Sequence, residues 1–515
     1  MKFWPLALAT VVLAGCGTNP VTGERELQLI SESQEVAIGQ QQYLSAQQME
    51  GGDLSIDLKL TEYVQQVGKK LAAVSDRELP YEFTVLNNSV PNAWALPGGK
   101  IALNRGLLQE IKCEGELAAV LGHEITHAAA RHGAKSAERG LLMQGAMLAL
   151  QIGARDSDYA NLIVGGASLA ANLITQKNGR DAERTADQYG MSYMKRAGYD
   201  PTDAVELQKT FVRLSQGRRS DWLQGLFASH PPSEERVANN MKTLAELGAG
   251  GERGCGEYAQ ATAHLQKLQP AYKKYDDGIA ALARNDTRSA ERLGREALAL
   301  APDEPKFHEL LGDIALRSKL YPQSLEHYRR AIDLNPNYFK PHLAAGVAEY
   351  NLDRRGDAEH ALETSMKLLP TAIGAHYLGR IAQDSGNLEQ AVKYHQLAAS
   401  SDSDVGRASA RALVQLDLPR NPGRYIAVEP RLDRQGRVWM LVQNRAPVAI
   451  GGVVIAAAVA NPAGGVAQGP VRVSTGRAAL APGQSMQVPT SLGPFKDPQA
   501  LRLVQAQVQS AQVAR

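Results

Sequence analysis

The chain has 515 residues, 21% charged and 44% hydrophobic, with a formal net charge of +2. That length divides into roughly three or four domains, and the composition excludes a disordered acidic chain and a polytopic membrane protein. The near-neutral balance, without a dense Lys/Arg run, excludes a nucleic-acid-binding footprint, and three scattered cysteines (Cys16, Cys113, Cys255) exclude a disulfide-built scaffold or a cysteine-rich metal cluster.

At the N-terminus, Lys2 precedes an apolar run from Phe3 to Leu13, too short to span a membrane but the right size for a secretory h-region. The run closes on Leu13-Ala14-Gly15-Cys16, followed by the polar breaker Gly17-Thr18-Asn19-Pro20. This resembles the bacterial lipobox. The resemblance implies that residues 1–15 are a lipoprotein signal peptide and that Cys16 is lipidated. Gly17, where Asp would imply inner-membrane retention, points to the periplasmic face of the outer membrane of a Gram-negative bacterium. In that oxidising compartment Cys113 and Cys255 can pair.

From Ser31 to Ala73 the pattern is mostly helical, with Leu58, Val64, Val67 and Leu71 on one stripe. Tyr81 to Leu86 alternates like a strand, and Ala93 to Leu103, containing Leu96-Pro97-Gly98-Gly99-Lys100-Ile101, reads as a hairpin or sheet edge. Glu114 to Arg131 is an amphipathic helix with acidic residues near its start, where the dipole favours them. The charge-poor stretches Gly140 to Ala154 and Tyr159 to Gln176 read as buried or lid helices, because Asn161, Ser168, Asn172, Thr175 and Gln176 dilute the second. Gly248-Ala249-Gly250-Gly251-Glu252-Arg253-Gly254 has the composition of a linker.

Beyond it, Pro302, Pro336 and Pro370 recur at intervals of 34, each ending an apolar helical run. Gly278, Gly312, Gly346 and Gly379 recur almost in phase, as do the small residues Ala290, Ser324, Ala358 and Ala391. This resembles the tetratricopeptide repeat, a helix-turn-helix unit that stacks into a solenoid with a concave binding face. The array covers about Ala271 to Ser403 and, with a capping helix, 271–416. After Pro422 alternating runs such as Arg437-Val438-Trp439-Met440-Leu441-Val442, broken by Asn461-Pro462 and Pro482-Gly483, predict a small all-β sandwich over 423–515.

Chemistry concentrates in His123-Glu124-Ile125-Thr126-His127, inside the helix from Glu114. Residues i and i+4 share a face, so both imidazoles can reach one zinc ion, with Glu124 beside them to hold a water. A catalytic zinc needs a third protein ligand. Glu183 in the helical run Gly179 to Asp187 can supply it, with Asp181 as a rival, and Asp187 one turn on can accept from a ligating imidazole and fix its tautomer.

Together with Asn92-Ala93-Trp94-Ala95-Leu96-Pro97-Gly98-Gly99 upstream and Ser229-His230-Pro231 downstream, these motifs resemble the M48 zinc metallopeptidases. The lipobox and Asn19-Pro20-Val21-Thr22-Gly23 match that family's periplasmic lipoprotein branch. The resemblance implies one Zn2+ per chain held by His123, His127 and Glu183, with Glu124 as catalytic carboxylate. It further implies that the strand containing Asn92 and Ala93 pairs with extended substrate. For His230 it suggests a latency lock on the zinc; the rival roles are an oxyanion donor or, with neither function, a surface or turn histidine.

The expected fold is multidomain and mainly α. It comprises a zincin-like α+β metallopeptidase domain (16–247), a linker and helix (248–270), the α-solenoid and the β-sandwich. The expected function is a lipid-anchored zinc endopeptidase degrading misassembled envelope proteins. The alternative is an assembly scaffold whose repeats bind clients or the outer-membrane insertion machinery.

Overall fold

Side-chain caps and a buried apolar stripe start and orient the first helices of the fold. Helix α1 (Glu32–Met49) begins in a capping box, Ser31 accepting from the Gln34 backbone while the Gln34 side chain accepts from Ser31. Helix α2 (Leu58–Ala72) is capped by Asp57 and buries Leu60, Val64, Val67 and Leu71. Leu58, expected on that stripe, is 63% exposed, because it stands about 200° round the helix from Leu60. These elements belong to a computed structural model that describes residues 16–140, 179–216, 224–461 and 465–514. The signal segment 1–15 and most of the two charge-poor stretches lie outside the described residues. Among the described residues no helix is long and apolar enough to cross a membrane.

Strands β1 (Glu82–Leu86), β2 (Ala93–Leu96) and β3 (Lys100–Asn104) form a sheet in the order β1-β3-β2, with β1 parallel and β2 antiparallel to β3. The β2–β3 turn needs its glycines. Gly98 has φ 77°, and a Cβ there would lie 2.6 Å from the Val36 Cα. Beside the sheet lies α3 (Glu114–Ala129), buried along almost its whole length. It packs closely on α4 (Arg180–Arg196), since a Cβ on Gly122 would come within 2.9 Å of the Gly190 carbonyl oxygen. That close approach places the His-bearing face of α3 against the carboxylates of α4. Helices α5 (Thr202–Gln216), α6 (Gln224–Ser229) and α7 (Glu234–Leu247) complete this region.

Residues 248–254 have linker composition but run pinned along the domain. Asp200 N donates to Glu252 O, Glu252 N to Gly198 O, and Gly115 N to Arg253 O. The glycines serve contact rather than freedom, for a Cβ on Gly251 would lie 2.6 Å from the Tyr199 carbonyl carbon. Cys113, the N-cap of α3, is disulfide-bonded to Cys255, closing a separation of 142 residues.

The chain divides into two compact units, Met1–Pro370 and Thr371–Arg515. In the first, paired helices follow at Ala263–Ala283 and Thr287–Leu300, Pro305–Arg317 and Tyr321–Leu334, and Phe339–Asn351 and Arg355–Leu368. Tyr258, Leu265, Leu268, Tyr272 and Phe307 share one apolar core with Val64, Leu117 and Ile125, which is why the split does not fall at the glycines. In the second unit the helices Ala372–Asp384, Leu388–Ala399 and Asp404–Asp417 precede two sheets. In one, Val438–Asn444 is central between Ile426–Leu432 and Ser485–Pro489; in the other, Ile450–Ala460 pairs with Val466–Ser474, Ala479–Leu480 and Val504–Val513. Val438, Met440 and Val442 of the first face Ile450, Val453 and Ile455 of the second in one core, which makes a sandwich. The protein is thus multidomain and mainly α, with helical repeats and a C-terminal sheet region.

Candidate metal centre

Helix α3 brings His123 and His127 to one face, one turn apart, with their Nε2 atoms 3.0 Å from each other. From α4, Glu183 Oε1 lies 3.4 Å from His127 Nε2 and Oε2 lies 3.5 Å from His123 Nε2. His230, just past α6 on the stiff His-Pro-Pro segment, places Nδ1 3.2 Å from His123 Nε2 and 3.0 Å from Glu183 Oε1. Ligand atoms of His123, His127, Glu183 and His230 all fall within 4.8 Å of one another. Glu124 is buried beside them, its Oε1 3.6 Å from His230 Nε2.

Asp187 lies 3.0 Å from His123 Nδ1 and so commits that nitrogen as a donor, leaving Nε2 to face the cluster. Arg236 of α7 holds Asp187 with two donors, Nε at 2.7 Å and Nη2 at 2.6 Å, and its Nη1 lies 3.0 Å from Glu183 Oε2. Burial would raise both carboxyl groups. Arg236 overcomes it at Asp187, and the imidazoles, His230 foremost, hold Glu183 far below the usual carboxylate range. Burial also opposes charge on His123, but Asp187 and Glu183 prevail and raise it to about 10. Burial takes His127 down to about 4, only partly offset by Glu183.

This donor set fits a divalent cation. Three imidazole nitrogens converge on one carboxylate, and Glu183 Oε2, fully buried, meets only the charged Arg236 Nη1 at 3.0 Å and His123 Nε2 at 3.5 Å, without a well-directed hydrogen bond. Without a cation the convergence of lone pairs is relieved by a proton on His123; a metal can take that proton's place. A cavity of about 50 Å3, walled by Val120, Phe211 and Leu226, opens beside His123, Glu124 and His230, with room for several waters.

Of the residues singled out in the sequence, His123, Glu124, His127, Glu183, Asp187 and His230 come together here. Asp181 does not: its side chain is 97% exposed and paired with Arg184. Asn92 and Ala93 are buried at the start of β2, an end strand of its sheet, with Asn92 O accepting from Asn104 N. Two neighbours escaped the sequence reading. Arg236 carries no motif, although a buried Asp187 requires some counter-cation. His132 places Nδ1 2.7 Å from His127 Nδ1, and burial pushes it down to about 2. Its spacing of five residues is not helical, because Arg131, at φ 63°, turns the chain back after α3.

The α3–α4 pair assembles a donor cluster that could hold a metal ion, and residues 58–243 match peptidase family M48 while residues 275–339 match a tetratricopeptide repeat. The chain is a metalloendopeptidase carrying an M48 domain and helical repeats. It is 26% identical over 353 residues to the beta-barrel assembly-enhancing protease of Escherichia coli (strain K12), covering 62% of this chain and 71% of that protein. It is also 33% identical over 189 residues to the mitochondrial metalloendopeptidase OMA1 of Schizosaccharomyces pombe, covering 36% of this chain and 53% of that one. Metalloprotease YcaL of Escherichia coli (strain K12) is 29% identical over 191 residues, covering 35% and 70% respectively.

Proposed function

We propose that the protein is a zinc endopeptidase, lipid-anchored through Cys16 at the periplasmic face of the outer membrane, that cleaves unfolded or misassembled envelope proteins. The observation carrying this reading is the group of His123, His127, Glu183 and His230 with ligand atoms inside 4.8 Å and the Glu124 carboxylate beside it. His123, His127 and Glu183 would hold one zinc ion, and Asp187 keeps the His123 tautomer. A bound zinc supplies Lewis-acid polarisation and acidifies water. Glu124 takes the proton of the attacking water and passes it to the leaving amine. The outer edge of β2 offers backbone groups to an extended chain, which gives affinity with little sequence preference and suits unfolded clients. His230, within hydrogen-bond distance of both His123 and Glu183, acts as a lock that occupies the position a substrate or water would take. The repeats present clients, or bind the outer-membrane insertion machinery in an assembly role alongside proteolysis.

Glu124→Gln tests the catalytic assignment. The amide packs in the same space but cannot act as base, so zinc content should stay stoichiometric while casein hydrolysis disappears. Full hydrolysis by the zinc-loaded variant would overturn it. For the anchor, Cys16→Ser should abolish incorporation of labelled palmitate, and a variant that still takes up label is no lipoprotein of this kind.

A further inference from the structure

The loop 87–92 enters β2, the strand proposed above to receive substrate, and residues of the repeat array hold it. Asn87 Nδ2 donates to Glu304 Oε1 at 2.8 Å, and Ser89 Oγ donates to Asp276 Oδ1 at 2.7 Å. Glu304 caps the helix Pro305–Arg317 and is fully buried. It also accepts from Tyr272 Oη at 2.6 Å and from Lys306 N at 3.0 Å. Arg105, at the end of β3, completes the clamp: its Nε donates to Asn87 Oδ1 at 2.8 Å, its Nη2 bonds Ser89 Oγ, and its guanidinium lies 3.3 Å over the Tyr272 ring. Further along the loop, Pro91 O accepts from Leu226 N, and Leu226 O accepts from His230 N. The loop therefore touches the repeats at one end and the segment bearing His230 at the other.

An apolar seam would suffice to dock the repeats on the peptidase region, and Phe307, Leu265 and Tyr272 already supply one. Burying a carboxylate there is costly unless its hydrogen bonds are all met, so its presence in an already apolar seam is weak evidence of a stabilising role. We propose that Glu304 is a positioning residue for the peptidase, fixing through Asn87 the loop that sets the edge of β2 for an extended substrate. The repeats are then part of the substrate site's support as well as a surface for clients. This inference rests on the reading of β2 as the substrate strand.

The test uses the full zinc-loaded chain. In Glu304→Ala, hydrogen exchange at residues 87–96 should accelerate while α3 stays protected, and KM for an unfolded protein substrate should rise roughly tenfold with kcat and zinc content kept, as loss of a charge-assisted bond implies. Glu304→Gln, which still accepts from Asn87 and Lys306 and offers Nε2 to the Tyr272 hydroxyl, should restore both. If Glu304→Ala does not fold, Tyr272→Phe removes one partner of the same carboxylate and should give a several-fold rise in KM. Unchanged exchange at 87–96 overturns the clamp. Faster exchange with unchanged KM, or a fall in kcat and thermal stability with KM constant, overturns the positioning role. A chain that holds zinc but cleaves nothing, both as wild type and as His230→Ala, sinks the parent reading and this one with it, whatever the exchange data show.

Discussion

His230 is the residue whose chemistry the geometry narrows most. Its Nδ1 faces His123 and Glu183, the groups proposed to bind zinc, while its Nε2 faces Glu124. A group meant only to donate to a developing oxyanion has no need to contact the donor cluster on one side and the base on the other. We therefore expect His230→Ala to raise basal proteolysis, measured on casein with zinc content checked in parallel. A fall of about 10²- to 10³-fold would instead assign it the oxyanion role. Much of this centre was legible in the sequence, because His123 and His127, and likewise Glu183 and Asp187, are spaced by one helical turn and helix geometry then fixes their shared face. Arg236 and His132 were not legible, since one reaches Asp187 from a separate helix and the other follows a left-handed turn at Arg131.

Among the elements, the repeats were readable because several of the periodic residues have a packing reason. Gly312, Gly346 and Gly379 admit a large side chain from the second helix of the pair, Tyr328, Leu362 and His395 in turn. The close pairing of Gly122 with Gly190 was not readable, as neither glycine sits at a turn or carries a motif. His395 differs from the residues filling the equivalent places. It is fully buried, both ring nitrogens lack hydrogen-bond partners, and burial, reinforced by His376 and Arg380, lowers it to about 4. The unfolded chain titrates near 6.5, so between those values the unfolded state binds more protons. Stability of this unit should therefore fall as pH drops from about 6.5 towards 4, by about 3 kcal/mol at most. Denaturant melts of full-length protein at pH 7 and 4.5 would measure the loss, and His395→Phe should flatten it. An equal loss in the variant would show that other groups carry the acid sensitivity.

At the scale of the whole molecule, composition misleads at the glycine-rich segment. Seven residues with the composition of a linker are strapped to Gly115, Gly198 and Asp200, and the strap ends at a cysteine bonded to the N-cap of the helix that carries His123 and His127. Nothing in one sequence distinguishes a glycine used for freedom from one used for close approach. The disulfide closes 142 residues within the first compact unit, and no cysteine lies in Thr371–Arg515. In the chain-entropy account so long a crosslink stabilises by about 5 kcal/mol, against about 2–4 kcal/mol for a typical disulfide, through the unfolded state rather than by any native contact. Reduction, or the paired change Cys113→Ser with Cys255→Ser, should therefore lower the melting of the first unit and leave that of the second in place. Calorimetry of the full chain with and without reductant separates the two, with hydrogen exchange assigning each transition to its residues. If both transitions shift together, the units melt as one and the crosslink's effect is not local; if neither shifts, the crosslink adds no measurable stability and the hydrogen-bonded strap alone holds the helix.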